Sequence, residues 1–465
     1  MKRLAVAPWL SRWGVRLLLM GVLVALNAVS ACAADVSAPL KSRFGVSIHQ
    51  IQDPREWDLI VEAGFGVVRM DLNWERVERV RGRYDWSYYD GMAQSLRAHG
   101  LRPLFILDYG NAIYSPQVQI AGHPGEMHPA APTNEAALAA FTAFASEAVR
   151  RFQSMDPIWE IWNEPENDEM WPPHSDTAQF LALATRTCEA MRRVSPSAEI
   201  VSPGAAKAPT DQDTRPALLQ ALLASSLKTC LSGLSVHPYL FVSALDGSAR
   251  TWGRLRSMTA GVDRQGRAPL QLLSSESGVS TFKGQVSELQ QAAYVARMLL
   301  LNAASDVALS VWYDWRDDGD DGDNPEHRFG LLRRDFSPKP AWRAMRTLSA
   351  ELQGMQFLCR ASVPGAPLTK LVFGGPTSTR VVAWSSGRGS ESTVLNVGRS
   401  QALAGATTLL GEPQPIEAAD AQRVALALGP QPVYIRLEGL PTDVRASLCP
   451  APGGMANTMT RGASQ

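Results

Sequence analysis

Short apolar runs alternate with longer amphipathic segments along this chain, and the alternation repeats eight times before the pattern changes. The apolar runs fall at 44–48, 66–70, 103–108, 158–162, 199–202, 234–237, 270–275 and 307–313. Between them, 87–99, 135–152, 177–193, 217–228 and 288–303 carry apolar residues at helical spacing and end near turn signals. Buried strands alternating with helices predict an α/β fold, and eight such units over 35–352 predict a (β/α)8 barrel. Long loops follow the third, fifth and eighth strands, where ligand-contacting surface belongs. After 352 the runs become short and alternating, at 369–373, 380–384, 392–395 and 432–437, separated by Gly, Pro and Ser. They predict a small all-β, sandwich-like domain over 353–450, and the small polar residues of 451–465 predict a disordered tail. Trp384 lies inside one of these strand patterns and no exposed aromatic row accompanies it, so the β domain is expected to pack against the barrel.

Lys plus Arg and Asp plus Glu both number 45, so the formal charge is zero and no basic field exists to hold nucleic acid. Only 19 % of residues are charged while 13 are Trp, a composition suited to neutral, ring-shaped ligands met on aromatic faces. Residues 1–34 read as an export signal: Lys2, Arg3, Arg12 and Arg16 precede the apolar stretch 17–24, and small residues follow. Ala31-Cys32-Ala33 fits a cut for soluble secretion, whereas Val29-Ser30-Ala31-Cys32 resembles a lipobox that would leave Cys32 lipidated; the second is favoured. An exported protein follows, periplasmic, tethered to a membrane or secreted. Cys188, Cys230, Cys359 and Cys449 then remain, with three connectivities open; pairing nearest neighbours within each domain joins Cys188 to Cys230 and Cys359 to Cys449.

The fourth strand ends in Asn163-Glu164-Pro165-Glu166 and the seventh runs into Glu276. Strand C-termini are where a parallel barrel builds its active site. Two carboxylates facing each other there suit glycoside hydrolysis, which needs one group to protonate the leaving oxygen and another to attack or assist at the anomeric carbon. Glu160, four residues before Glu164 and of the same strand parity, lies deeper and reads as a buried partner for Arg69. The acidic run 317–324 fails the register of a calcium loop and lacks its closing Glu, so it reads as solvated. No metal or nucleotide-binding motif occurs, and chemistry without metal or cofactor is expected.

Trp162-Asn163-Glu164-Pro165, Ser235-Val236-His237-Pro238-Tyr239, Ser274-Ser275-Glu276-Ser277-Gly278 and Trp312-Tyr313-Asp314-Trp315 resemble the strand-end motifs of clan A retaining glycoside hydrolases, and within them family 39. The likeness is nearest to the exported endoglycosidases that act on biofilm exopolysaccharides of the Psl type. It implies Glu164 as acid/base, Glu276 as nucleophile and Asn163 as donor to the sugar 2-hydroxyl. His237 and Tyr239 would orient Glu276, Arg69 would lie beneath it, and Trp315 would be the sugar platform. Trp74, Tyr109, Trp171 and Trp252 are expected at outer subsites from their loop positions, while His49 and Asp108, at the ends of the first and third strands, read equally as pocket wall or as hydrogen-bonded structural residues. The implied protein is a monomeric endo-hydrolase of a polysaccharide or oligosaccharide. An exo-acting β-xylosidase or β-glucosidase is the alternative within enzymes, and a non-catalytic glycan-binding scaffold the alternative outside them.

Overall fold

Because side chains alternate along a strand, each barrel strand has one row facing the lumen and one facing the helices. The computed structural model describes residues 40–120, 124–362, 367–387, 391–396, 402–420, 423–438 and 448–449. The expected export signal with Cys32, and the tail 451–465, lie outside the described residues. The strands in chain order are β1 (Phe44–Ser47), β2 (Val67–Asn73), β3 (Arg102–Asp108), the short hairpin of β4 (Gln117–Gln119) and β5 (Met127–Pro129), β6 (Ile158–Ile161), β7 (Glu199–Val201), β8 (Gly233–Val236), β9 (Gln271–Ser277) and β10 (Leu309–Trp312). Apart from the hairpin they close into a parallel barrel ordered β1-β10-β9-β8-β7-β6-β3-β2. All eight expected strands are present. The expected helix at 217–228 is divided into Ala217–Ala224 and Leu227–Cys230, and Arg55–Glu62, Ala249–Thr259 and Pro340–Glu351 supply helices that the periodicity left unassigned.

Val67, Leu104, Ile106, Ile158, Val201, Leu273, Leu309 and Val311 fill the lumen as a closed apolar cluster. Their outward neighbours, among them Val68, Phe105, Leu107, Trp159, Ile161, Ile200 and Leu234, belong to the larger core beneath the helices. Two residues above the lumen layer the same faces carry Arg69, Asp108 and Glu160, so the interior changes from apolar to charged toward the strand C-termini. One strand departs from simple parity. Ser310 pairs with Ser274 but Trp312 pairs with Ser277, so β9 carries one extra residue in a bulge. Ser275 and Glu276, although consecutive, both reach partners inside the barrel.

The C-terminal region forms β11 (Gln356–Arg360), β12 (Leu368–Gly374), β13 (Ser378–Ser385), β14 (Glu391–Asn396), β15 (Ala402–Thr407), β16 (Glu417–Ala418), β17 (Arg423–Leu428) and β18 (Val433–Glu438). An antiparallel sheet ordered β11-β12-β13-β18-β15 accompanies a smaller one ordered β14-β17-β16. Alternation along β13 again divides the work: Val381 and Ala383 join the small core of this region, while Val382 and Trp384 join the core of the barrel. The Trp384 indole donates to Asp246 at 3.0 Å, and Asp246 also pairs with Arg297 at 2.5 Å on the helix Glu288–Ala304. Glu351, at the end of the last barrel helix, accepts from Arg380 and Arg436 of the sheet. Disulfides join Cys188 to Cys230 and Cys359 to Cys449, the nearest-neighbour pairing.

Candidate active site

Glu164 and Glu276 face one another across the barrel mouth. One carboxylate oxygen of each and a ring nitrogen of His237 all lie within 4.8 Å of one another. Trp162 and Glu164 both have positive φ, 73° and 42°, flanking Asn163 where the chain leaves β6. Non-glycine residues pay for that backbone geometry, and such strain clusters where side chains must be aimed. The Glu164 carboxylate is held from two sides, by His237 Nδ1 at 2.6 Å and by the Asn167 amide at 2.7 Å. Glu276 accepts from Arg69 Nη1 at 2.5 Å and from the Tyr239 hydroxyl at 2.9 Å.

A continuous polar chain runs beneath both. Arg69 Nε donates to Glu160 at 3.0 Å, as expected for its buried partner, and Nη2 donates to Asn163 Oδ1 at 2.8 Å. That bond fixes the orientation of the Asn163 side chain, leaving its NH2 for other acceptors. The Ser275 hydroxyl donates to Glu160 at 2.9 Å and has one proton to give. It therefore accepts from His237 Nε2, 3.0 Å away. With its Nε2 proton so placed, His237 meets the Glu164 carboxyl through Nδ1 across one short hydrogen bond. Burial works against a charged His237, yet the carboxylates of Glu276 and Glu164 raise its pKa above the ordinary value. Burial likewise opposes ionisation of Glu276, but the charges of His237 and Arg69 and the bond from Tyr239 outweigh it and hold the carboxyl below its usual value. His237 thus meets Glu164 directly and stands 3.5 Å from Glu276, whereas the motif reading had it orient Glu276.

The cavity above these groups has a volume of about 640 Å³ and is lined by Arg69, Asn163, Glu164, Tyr239 and Glu276, with His49 and Tyr109 on its walls as expected. Four expected aromatics are elsewhere. Trp315 is buried with its indole donating to Glu56 at 3.0 Å, because its backbone bonds Ser47 of β1 and its ring joins the core, outside the lining of the sugar pocket. Trp74 stacks in the core on Tyr114 and donates to Glu78, Trp171 packs on Trp162 and Phe180, and Trp252 donates to Asn302. Asp108 is fully buried below the floor, where burial and the neighbouring Asp71 raise its carboxyl well above the usual range. The rings that do line the cavity beyond Tyr109 and Tyr239 are Tyr313 and Phe329, joined by Asp71, Glu169 and Glu326. Tyr313 stands inside the Trp-Tyr-Asp-Trp motif, so the signal was present but attached to the wrong ring. Glu326 lies in the short 3-10 helix Pro325–Arg328 and Phe329 caps it, in a long connection after β10 with no periodicity to mark them. The acidic run is less solvated than expected: Asp317 is buried against Lys339 at 2.7 Å, and Asp318 bonds His49.

No family model matches the chain, and no curated protein matches it. Among solved structures it is similar to a family 39 glycoside hydrolase from the gut symbiont Bacteroides cellulosilyticus WH2, with 26 % identity and a TM-score of 0.72 over 86 % of this chain and 81 % of that one. It is also similar to a family 39 β-xylosidase from Caulobacter crescentus (18 % identity, TM-score 0.62, 86 % and 97 % covered). A family 30 endoxylanase from Clostridium papyrosolvens C71 shares the fold at 12 % identity and a TM-score of 0.59, over 87 % and 98 % of the two chains. With this fold, these neighbours and two carboxylates facing each other at the strand ends, the protein is an O-glycosyl hydrolase of (β/α)8 architecture.

Proposed function

We propose that the chain is a retaining endo-glycosidase in which Glu276 is the nucleophile and Glu164 the acid/base. The observation that carries this reading is the approach of the two carboxylates to within 4.8 Å. Retaining enzymes hold the pair about 5–5.5 Å apart, whereas inverting ones leave about 6.5–9.5 Å for a water. In the first step Glu276 bonds the anomeric carbon while the glycosidic oxygen departs with the Glu164 proton. In the second, Glu164 takes a proton from water, whose oxygen displaces Glu276. The depressed pKa of Glu276 keeps it ionised for attack, and the proton in the hydrogen bond between Glu164 and His237 is available to the leaving group. Asn163, oriented by Arg69, donates to the sugar 2-hydroxyl.

The substrate in this proposal is a neutral exopolysaccharide built from mannose, glucose or rhamnose, supported by the resemblance in the strand-end motifs and by a cavity larger than one sugar ring requires. The named β-xylosidase among the neighbours supports the exo-acting alternative. Export as a periplasmic lipoprotein belongs to the same proposal and is supported by the two disulfides, which form in oxidising compartments. The test is incubation of the protein with exopolysaccharide, reading product mass and the anomeric configuration of the first product by NMR, beside Glu276→Gln. Oligosaccharides of one repeating mass, formed with retention and absent from the variant, are expected. Monosaccharides alone would establish the exo reading, inversion would remove Glu276 as nucleophile, and binding without cleavage would favour the glycan-binding scaffold.

A further inference from the structure

A second cluster of ionisable groups stands beside the sugar cavity and takes no part in the chemistry above. It joins His49, just beyond β1, to Asp314 and Asp318, just beyond β10, through the seam where those two strands close the barrel. His49 Nδ1 is 3.0 Å from one Asp318 oxygen and 2.9 Å from the other. A single N–H cannot satisfy both oxygens. Asp314 is 2 % exposed, its Oδ1 accepts no hydrogen bond, and its Oδ2 stands 3.8 Å from the same His49 nitrogen. Lys339, the ammonium behind it, is engaged by Asp317. A buried carboxylate oxygen without a donor costs free energy unless a cation or a proton meets it. All three ligand atoms lie within 4.8 Å of one another and line a small cavity of about 160 Å³, separate from the catalytic pocket though sharing His49 with it.

We propose that His49, Asp314 and Asp318 bind one divalent transition-metal ion, of the Zn²⁺ or Mn²⁺ kind. One imidazole and two carboxylates form a donor set that such ions accept. Bonds of about 2.0–2.2 Å to such an ion place adjacent ligand atoms about 3–3.5 Å apart, near the observed spacings of 2.9 and 3.8 Å. Held through Asp314 Oδ2, the oxygen that faces His49, the ion neutralises a buried carboxylate whose other oxygen accepts no hydrogen bond, and it ties the loop after β10 to the end of β1. Because that loop also supplies Glu326 and Phe329 to the sugar cavity, the ion braces one wall of the substrate pocket. The contiguous acidic run could not reveal the site, since the histidine lies more than 260 residues away.

The test is equilibrium dialysis of chelator-stripped full-length protein against Zn²⁺ alone and Mn²⁺ alone, with metal content by mass spectrometry and thermal melting read in parallel. One retained ion per chain and a raised midpoint are expected, both lost in Asp314→Asn and in Asp318→Asn and both kept in Glu164→Gln. Asp318 is partly exposed, so its variant carries the test should Asp314→Asn fail to fold. No ion retained by the wild type would overturn the proposal and leave a proton on Asp314 as the compensating charge. An ion kept in both aspartate variants but lost from Glu164→Gln would also overturn it, by placing the metal on Glu164, His237 and Glu276.

Discussion

Gly204 is not part of the cavity lining, yet replacing it with alanine should disable Glu164, the proposed acid/base. A Cβ at this position would stand 1.9 Å from His237 Nε2 and 2.6 Å from Glu160 Oε1, where real contacts almost never fall below 3.0 Å. His237 is fully buried as a side chain and tethered at both ring nitrogens, so it retreats only by breaking the bond to Ser275 or the one to Glu164. A displacement of about 1 Å in a group that positions the reacting proton costs on the order of 100-fold in kcat, and overpacking of a filled interior costs about 1–3 kcal/mol of stability. The two effects separate experimentally. Steady-state kinetics on an aryl glycoside with a poor leaving group reports the first, because departure then depends on protonation by Glu164. Urea unfolding reports the second. Gly204→Ala with kcat within about threefold of wild type, in a folded protein, would refute the claim that His237 governs the Glu164 proton.

Arg69→Met should leave Glu160 and Glu276 buried without their cation, lowering unfolding free energy by about 3–5 kcal/mol; a loss under about 1 kcal/mol by urea titration would contradict the network. The site should also have a pH window of stability. Burial opposes the charge on His237, but its carboxylate neighbours raise its pKa, so its contribution is whole below its unfolded value of 6.5 and is lost as pH rises through the folded value. Glu276, depressed by His237 and Arg69 against the effect of burial, contributes fully above 4.5 and loses that contribution as pH falls through its folded value. Unfolding free energy measured across pH should therefore be flattest between these limits, and His237→Gln should remove the alkaline decline; an unchanged profile would sink the assignment. Trp384→Ala should cost about 3–5 kcal/mol through lost packing and leave kcat unchanged, since the ring ties the β domain to the barrel and is no part of the catalytic cavity's lining; an unaltered melting midpoint would show that the contact does not hold the domain.

The eight strands were legible because a parallel strand covered on both faces must be a short apolar run, and nothing else in a soluble chain alternates so regularly with amphipathic helices. Asn163, Glu164 and Glu276 were legible because a polar residue closing such a run stands at the barrel mouth. The pairing of Arg69 with Glu160 followed from strand parity once the motif resemblance had set Arg69 beneath Glu276. The aromatics were not legible in the same way. Trp74, Trp171, Trp252 and Trp315 carry large apolar rings with one donor, which a core with a buried acceptor satisfies as well as a sugar does, and three of the four have such an acceptor in place.

Sequence by itself therefore determined the barrel, the ends of its strands and the two carboxylates, since each depends on local periodicity and on residue chemistry. Tertiary structure alone decided how those parts meet. The extra residue in β9 lets both Ser275 and Glu276 reach partners inside the barrel, and the proton order through Ser275 and His237 depends on partners from β6, β8 and β9. The seam between β1 and β10 gathers His49, Asp314 and Asp318 from opposite ends of the chain. These are distances of a few ångströms between residues far apart in sequence, and only closure of the sheet sets them.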